Sequence, residues 1–233
     1  MAITIAGIQV GKIRSEGDSQ TSDSMNRHWT TAFYKFPAAG LRTIHPLGVE
    51  GDEIADTKNH GGVDKAVLGY SANHYAAWRT ELESFDFGGL QTDEHGPDAF
   101  GFGAFAENLT ISGQDETQVC IGDRYRIGTD ETNSVILEVS QPRQPCWKIS
   151  RRWKHKTLTK RVAETGRTGW YFRVLREGTV DVGDEVKLLA RRHPLWTVAR
   201  ANDVLLGRES DRYAVAELMA MEELAPAWKL SLN

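Results

Sequence analysis

The sequence has few cysteines and no long apolar run, and both shortages limit what the protein can be. Only Cys120 and Cys146 are cysteines among the 233 residues. So sparse a count, with no export signal, argues for reduced thiols rather than a disulfide framework. No apolar stretch is long enough to span a bilayer, and the first residues lack the charged start and apolar segment of a signal peptide. We therefore expect a cytoplasmic protein with no membrane partner.

Several common catalytic motifs are also missing. The sequence contains no Gly-x-Ser-x-Gly elbow, no phosphate-binding P-loop, no Cys-x-x-Cys pair and no His-Glu-x-x-His. The serine-hydrolase, nucleotidase and zinc-protein classes therefore have no support. The composition is that of an ordinary soluble chain, long enough for one main core and a small appendage.

Short segments of alternating apolar and polar residues predict β-strands through most of the chain. Turn signals such as Gly122-Asp123 and Gly183-Asp184 come directly before two of these segments. Helical spacing is rarer in this main body and predicts helices at residues 74–82, 147–153 and 158–164. Many short strands with few helices between them predict a barrel or sandwich rather than a doubly wound sheet.

The pattern changes near Arg191, after which apolar residues recur at helical spacing. We therefore predict a β domain over residues 1–190 and a small three-helix extension over residues 191–233. The stretch 83–105 is rich in glycine and phenylalanine without a clear period. It predicts a long functional loop, and a disordered surface insertion is the alternative.

Cys146 is the most informative residue because two prolines fix the path to it, in Gln141-Pro142-Arg143-Gln144-Pro145-Cys146-Trp147-Lys148. Between residues 140 and 163 there are eight Lys or Arg and no Asp or Glu, although the net charge of the chain is -4. Nearby cations favour the thiolate, which ligates metals, and they can hold an anionic cofactor. The alternative is that Cys146 is a small buried hydrophobe beside a solvated helix.

Two further clusters carry polar groups. In His60-Gly61-Gly62-Val63-Asp64-Lys65 the glycines let backbone amides approach a ligand, while His60 and Lys65 can donate hydrogen bonds to an anion. Glu107-Asn108 places two polar side chains after the glycine-rich stretch. Each cluster by itself is more typical of a structural turn.

In combination and in this order, the motifs resemble the MOSC family, related to the C-terminal part of molybdenum cofactor sulfurases, and within it the YiiM-like subgroup. The resemblance covers about residues 47–188 and rests on Gly-Asp after a Val-Glu, His-Gly-Gly-x-Asp-Lys-Ala, Glu-Asn-Leu, Ile-Gly-Asp, Gln-Pro-Arg-x-Pro-Cys-x-Lys and Thr-Gly-Trp-Tyr. It implies a mainly β (α+β) fold, a MOSC-type β-barrel with a few peripheral helices and a small C-terminal helical extension.

The resemblance also implies that the protein binds the molybdenum cofactor (Mo-molybdopterin), with Cys146 as the protein's metal ligand and Cys120 as a core residue. Arg143 and Lys148 are the preferred contacts for the cofactor's negative charge, with His60 and Lys65 on the opposite wall. The remaining expected cofactor contacts are Asn108, Gln141 and Trp170. For Trp170, a core position is the alternative.

The activity implied is reduction of N-hydroxylated compounds to amines, including N-hydroxylated purines, hydroxylamines or amidoximes. Such a reaction needs a proton donor near the N–O group, and His60 and Glu107 are both candidates. No flavin, haem or iron–sulfur motif is visible. We therefore expect a flavoprotein reductase as electron donor, and a homodimer is left open.

Three other functions compete. Cys146 could carry a persulfide for sulfur transfer, although the chain lacks a pyridoxal-phosphate domain to make one. The protein could also store or deliver the cofactor without catalysis. Nucleic-acid binding could use the basic run with its tryptophans, but a negative net charge and basic residues confined to one stretch argue against it.

Overall fold

The computed structural model describes residues 2–82, 100–128 and 130–232. Its largest element is an eight-stranded sheet that curls into a half-barrel, in the order β13-β9-β10-β11-β7-β8-β1-β4. The strands are β1 (Thr4–Val10), β2 (Arg14–Glu16), β3 (Trp29–Thr31), β4 (Phe36–Pro37), β5 (Arg42–His45), β6 (Gly48–Val49), β7 (Val67–Ser71), β8 (Leu109–Ser112), β9 (Arg124–Ile127), β10 (Val135–Pro142), β11 (Trp170–Arg176), β12 (Gly178–Val180) and β13 (Val186–Ala190). The predicted β-rich barrel is confirmed.

β10 is the strand that leads to the predicted site. It pairs antiparallel with β9 on one side and β11 on the other. Val135, Leu137 and Val139 point into the core at strand period. The strand ends at Pro142, since proline has no N–H to continue the ladder. The chain then leaves the sheet toward Cys146.

β7 lies in the middle of the sheet, and all five of its residues are buried. It pairs parallel with β8 and antiparallel with β11. The seam with β11 is narrow: Gly169 has a φ of +78°, and a Cβ there would lie 2.5 Å from the carbonyl oxygen of Gly69. Only glycine fits this position.

The helices are α1 (His74–Leu82), α2 (Lys148–Arg152), α3 (Leu158–Thr165), α4 (Val198–Leu205), α5 (Ala214–Ala220) and α6 (Pro226–Lys229). The first three lie where helical spacing predicts them, within a residue at each end. α3 ends at Gly166, which adopts the left-handed conformation that commonly closes a helix. Among the described residues, no helix combines the length and the apolar character required to cross a membrane.

The hydrophobic core has two clusters. One joins sheet residues such as Val139 and Phe172 to Leu218 and Trp228 of the C-terminal helical segment. Because this cluster is continuous across residue 190, the division into residues 1–190 and 191–233 stays a prediction. The second cluster surrounds α1 and includes Phe105. Of the predicted loop 83–105, residues 83–99 lie outside the described residues.

Candidate active site

A cavity of about 630 Å³, open to solvent, lies beside the end of β10. It is bounded by the segment between β3 and β4, the loop after β6, a 3-10 turn (Val63–Lys65) before β7, and the segment from Arg143 to Lys148. Six of the nine predicted site residues line it: Cys146, Arg143, Lys148, His60, Lys65 and Asn108. Their functional roles stay predictions.

Cys146 is a free, partly exposed thiol on this cavity. The backbone around it is fixed, because its carbonyl accepts bonds from the amide of Ile149 at 3.1 Å and from Oγ1 of Thr159 at 3.0 Å. One partner belongs to α2 and the other to α3. The two helices therefore hold the cysteine at a set position on the cavity wall.

Arg143 lies in the same wall and is only 4% exposed. Its backbone amide donates to the Gly169 carbonyl at 3.1 Å, which ties it to the narrow seam. Its Nη1 is buried and has no hydrogen-bond partner in the described part of the chain. Burying a cation without a partner costs several kcal/mol in an apolar interior. The cavity therefore presents a guanidinium that needs an anion.

Other charges reinforce this wall. Lys148 lies 3.5 Å from Asp56, and the Lys65 ammonium donates to the carbonyl of Asn59 at 2.8 Å. Burial, followed by the positive charges of Lys148 and Arg143, lowers the pKa of His60 to about 4. His60 is therefore neutral near pH 7, and an anion bound beside it would raise its pKa.

Tyr171 also lines the cavity, although sequence reasoning selected its neighbour Trp170. Burial raises the pKa of the Tyr171 phenol, Arg143 opposes the rise and Cys146 adds to it, so both are near the phenol. Trp170 is 0% exposed and packs in the core with Phe172. Adjacent strand residues face opposite sides, so Tyr171 faces the cavity while Trp170 faces inward. Trp170 thus has the core position that was the alternative, and its contact with the cofactor stays a prediction.

Glu107 also lies away from the cavity surface. It is fully buried and accepts bonds from the hydroxyl of Tyr75, the amide of Gly103 at 2.7 Å, the amide of Phe105 at 3.2 Å and Oγ1 of Thr110 at 3.0 Å. It does not line the cavity. Asn108, the next residue, does, so the two side chains point to different sides. The role of Glu107 as a proton donor stays a prediction.

Gln141 also lies outside the cavity lining. It is 2% exposed, its Nε2 donates to the Pro142 carbonyl at 3.4 Å, and its Oε1 is buried without a partner. Cys146 therefore lines the cavity and Gln141 does not.

Lys35 and Asp52 form a wall of the cavity that the sequence did not indicate as a site. The Lys35 ammonium donates to both Asp52 carboxylate oxygens, at 2.6 Å for Oδ2. Asp52 also accepts from the Gly11 amide at 2.7 Å and from Nδ2 of Asn108 at 2.9 Å. Burial lowers the pKa of Lys35, and the Asp52 carboxylate opposes that effect. No motif marks Lys35. Gly51-Asp52 belongs to the motifs of the resemblance, but sequence reasoning assigned Asp52 no role in the site.

A half-barrel cavity that combines a thiol with a buried arginine, for which the described residues supply no partner at Nη1, has the groups to hold a small anionic ligand or cofactor. The MOSC domain model matches residues 56–187, and the model of the YiiM-like 3-alpha helix domain matches residues 196–233. The chain belongs to the MOSC family.

Relatives agree with this assignment. A protein named "Reductase" from Gibberella moniliformis (strain M3125 / FGSC 7600) is 38% identical over 188 residues, covering 81% of this chain and 31% of that protein. The chain thus spans about a third of that relative. The uncharacterized protein YflK of Bacillus subtilis (strain 168) is 34% identical, covering 92% of this chain and 89% of YflK. The crystal structure of YiiM from Geobacillus stearothermophilus has a TM-score of 0.73 at 27% identity, covering 99% and 100% of the two chains.

MOSC domains are associated with the molybdenum cofactor at the level of the family. The donor set of this cavity fits such a group. The described residues contain no group of three or more His, Cys, Asp or Glu that could hold a metal ion. A metal bound to Cys146 would therefore need most of its ligands from a cofactor. A negatively charged organic cofactor would also supply the counter-charge for the Arg143 guanidinium.

Proposed function

We propose that the protein is a molybdenum-cofactor-dependent reductase that converts N-hydroxylated compounds, such as N-hydroxylated purines, hydroxylamines or amidoximes, to amines. One observation supports this most strongly: the Cys146 thiol shares a cavity with the buried, unpartnered guanidinium of Arg143. A thiolate is a soft ligand for a redox metal, and the arginine is a partner for the negative charge of the cofactor.

In this proposal Cys146 holds the metal, and Arg143 and Lys148 bind the anionic part of the cofactor. When bound, the cofactor supplies the two-electron chemistry needed to reduce an N–O bond. The apolar side chains of Phe33 and Leu68, both buried cavity residues, exclude water from the substrate.

His60 is the remaining candidate for proton delivery, because Glu107 lies outside the cavity. The neutral ring donates only a hydrogen bond near pH 7, since its pKa is about 4 in the protein alone. An anion held beside Arg143 and Lys148 offsets their charges and raises the pKa of His60. Cofactor binding would thus bring the imidazole closer to a working acid.

The electrons come from another protein in this proposal, a flavoprotein reductase. The sequence has no flavin, haem or iron–sulfur motif. The relative named "Reductase" is about three times as long as the segment it shares with this chain, which leaves room for further domains there.

The decisive experiment uses protein from cells that make the molybdenum cofactor. Metal analysis is combined with reduction of 6-N-hydroxylaminopurine by a chemical reductant, for the native chain and for Cys146→Ser. Cys120→Ser is the matched control, because Cys120 is a buried thiol outside the cavity. We expect Cys146→Ser to abolish molybdenum binding and turnover, while Cys120→Ser keeps both.

Molybdenum and turnover retained by Cys146→Ser would contradict the metal-ligand role. Bound molybdenum in the native protein without any turnover would instead indicate a cofactor carrier. A persulfide on Cys146 without molybdenum would indicate sulfur transfer.

A further inference from the structure

The second polar wall of the cavity differs in kind from the wall that carries Cys146. It consists of Lys35, Asp52 and Asn108, here called the Lys35 cluster. The side chains of Lys35 and Asp52 are 7% and 9% exposed, and Asn108 is 5% exposed. Their charges cancel within the cluster, whereas Arg143 has no ion-pair partner among the residues that the structure describes.

The hydrogen bonds of the cluster leave one donor unused. The Asp52 carboxylate accepts from Gly11, from Asn108 and twice from Lys35, which fills about four lone-pair sites. The Lys35 ammonium carries three N–H groups, and within the described ranges its only acceptors are the two oxygens of Asp52. The cluster can therefore donate one further hydrogen bond, while its carboxylate has little capacity left to accept one.

Apolar side chains flank this donor. Phe33, Ile54 and Leu68 line the same cavity, and Phe33 and Leu68 are 6% and 4% exposed. A neutral ion pair gives an anion no net Coulombic attraction, and apolar walls disfavour a charged ligand further. A planar, uncharged group with one hydrogen-bond acceptor suits such a surface.

We propose that the Lys35 cluster recognises the uncharged heterocyclic end of the substrate, through one hydrogen bond from Lys35 to a ring nitrogen or carbonyl oxygen. This inference rests on the proposed function, because it assigns the Arg143 wall to the anionic cofactor. Lys35 is then a binding residue for a neutral base, and the two walls select ligands of opposite character.

The test measures binding in protein from cells that cannot make the molybdenum cofactor. Adenine is the probe because it is planar and uncharged, and it offers ring-nitrogen acceptors. Indole is the matched ligand of similar shape without such an acceptor. The variant is the double substitution Lys35→Met with Asp52→Asn, which removes both charges and leaves no unpaired ion behind. Lys160→Met, at a side chain that is 78% exposed and outside the cavity lining, is the control.

We expect the double variant to bind adenine about 10- to 100-fold more weakly, the loss typical of one hydrogen bond from a charged donor. Indole affinity should stay within about twofold. Lys160→Met should leave adenine affinity unchanged. Adenine affinity within about twofold of native in the folded double variant, or no adenine binding by the native protein, would overturn the inference.

Should the double variant fail to fold by circular dichroism, the native protein labelled with ¹⁵N at its lysine side chains gives the answer. Adenine, but not indole, must shift the resonance of the buried Lys35 amine, and no shift refutes the inference. Because neither measurement involves cofactor or reductant, adenine binding without turnover in the loaded enzyme would count against the proposed reductase alone.

Discussion

Two buried polar residues from the family motifs, Glu107 and Arg143, have opposite surroundings. Glu107 receives four hydrogen bonds from the protein itself, from Tyr75, Gly103, Phe105 and Thr110. Arg143 has a buried Nη1 with no partner in the described residues. A polar group that the chain satisfies stabilises the fold, whereas one that it leaves unsatisfied costs stability until a ligand arrives.

The largest expected change in stability is at Glu107, the residue whose hydrogen bonds the protein satisfies. Glu107→Gln keeps the size of the side chain but turns an acceptor oxygen into an NH₂ group that faces donors. We expect the free energy of unfolding to fall by about 3 kcal/mol, since several buried donors lose their acceptor. Denaturant unfolding measures it. Glu164→Gln, at an exposed site, is the control, and equal stability of the two variants would contradict a structural role for Glu107.

A smaller change in stability, of opposite sign, is expected at Arg143, whose Nη1 has no partner in the described residues. Arg143→Met removes a buried cation and should raise the free energy of unfolding of the ligand-free protein by about 1 kcal/mol. We also expect inorganic phosphate to raise the Tm of the native protein, and this rise should disappear in Arg143→Met. Thermal unfolding with and without phosphate tests both statements.

Lys160→Met is the matched control for this change. Its side chain is 78% exposed and lies 3.6 Å from Glu164. Stability should change by less than about 0.5 kcal/mol, with the phosphate effect intact. A destabilised Arg143→Met variant, or one that still responds to phosphate, would remove the contrast between Arg143 and Glu107.

The last effect, of similar size, concerns His60 and pH. Its pKa is lowered from 6.5 to about 4 by burial and by Lys148, Arg143 and Lys65, against the opposing charge of Asp56. Between these pH values the unfolded chain binds more protons, so the native protein loses stability as pH falls from 6.5 toward 4. Relative to His60→Gln, we expect a loss of about 1 kcal/mol, allowing for the solvent that reaches the ring.

Denaturant unfolding at pH 7 and pH 4 measures this difference. Phosphate should reduce it, because an anion beside His60 favours the imidazolium. Parallel pH curves for the native protein and His60→Gln would show that the ring is not held in a cationic surrounding.

Local patterns predicted the parts of the molecule that depend on neighbouring residues. The helix at residues 74–82 follows from its spacing, and the chain leaves β10 at Pro142, as expected of a proline. Cys146, Arg143 and Lys148 lie within six residues of one another, so a motif could place them in one cavity.

The parts of the cavity that the sequence did not predict depend on contacts between distant segments of the chain. Lys35 and Asp52 are 17 residues apart, and Asn108 is 56 residues beyond Asp52. No local pattern reports that pairing. The sequence also did not predict which way the Glu107 side chain points. The preceding residue, Ala106, has a φ of +63°, a conformation unusual for alanine. The sequence shows which polar residues are present, but the backbone decides which of them reach the cavity.

The family match begins at residue 56, yet both charged members of the Lys35 cluster precede it. β1 also precedes it, and β1 pairs with β8 inside the eight-stranded sheet. A fragment limited to the matched residues would leave β8 without its partner strand β1. It would also lack Lys35 and Asp52 in the cavity lining. The boundaries of the family match are therefore not suitable boundaries for a truncated form of this protein.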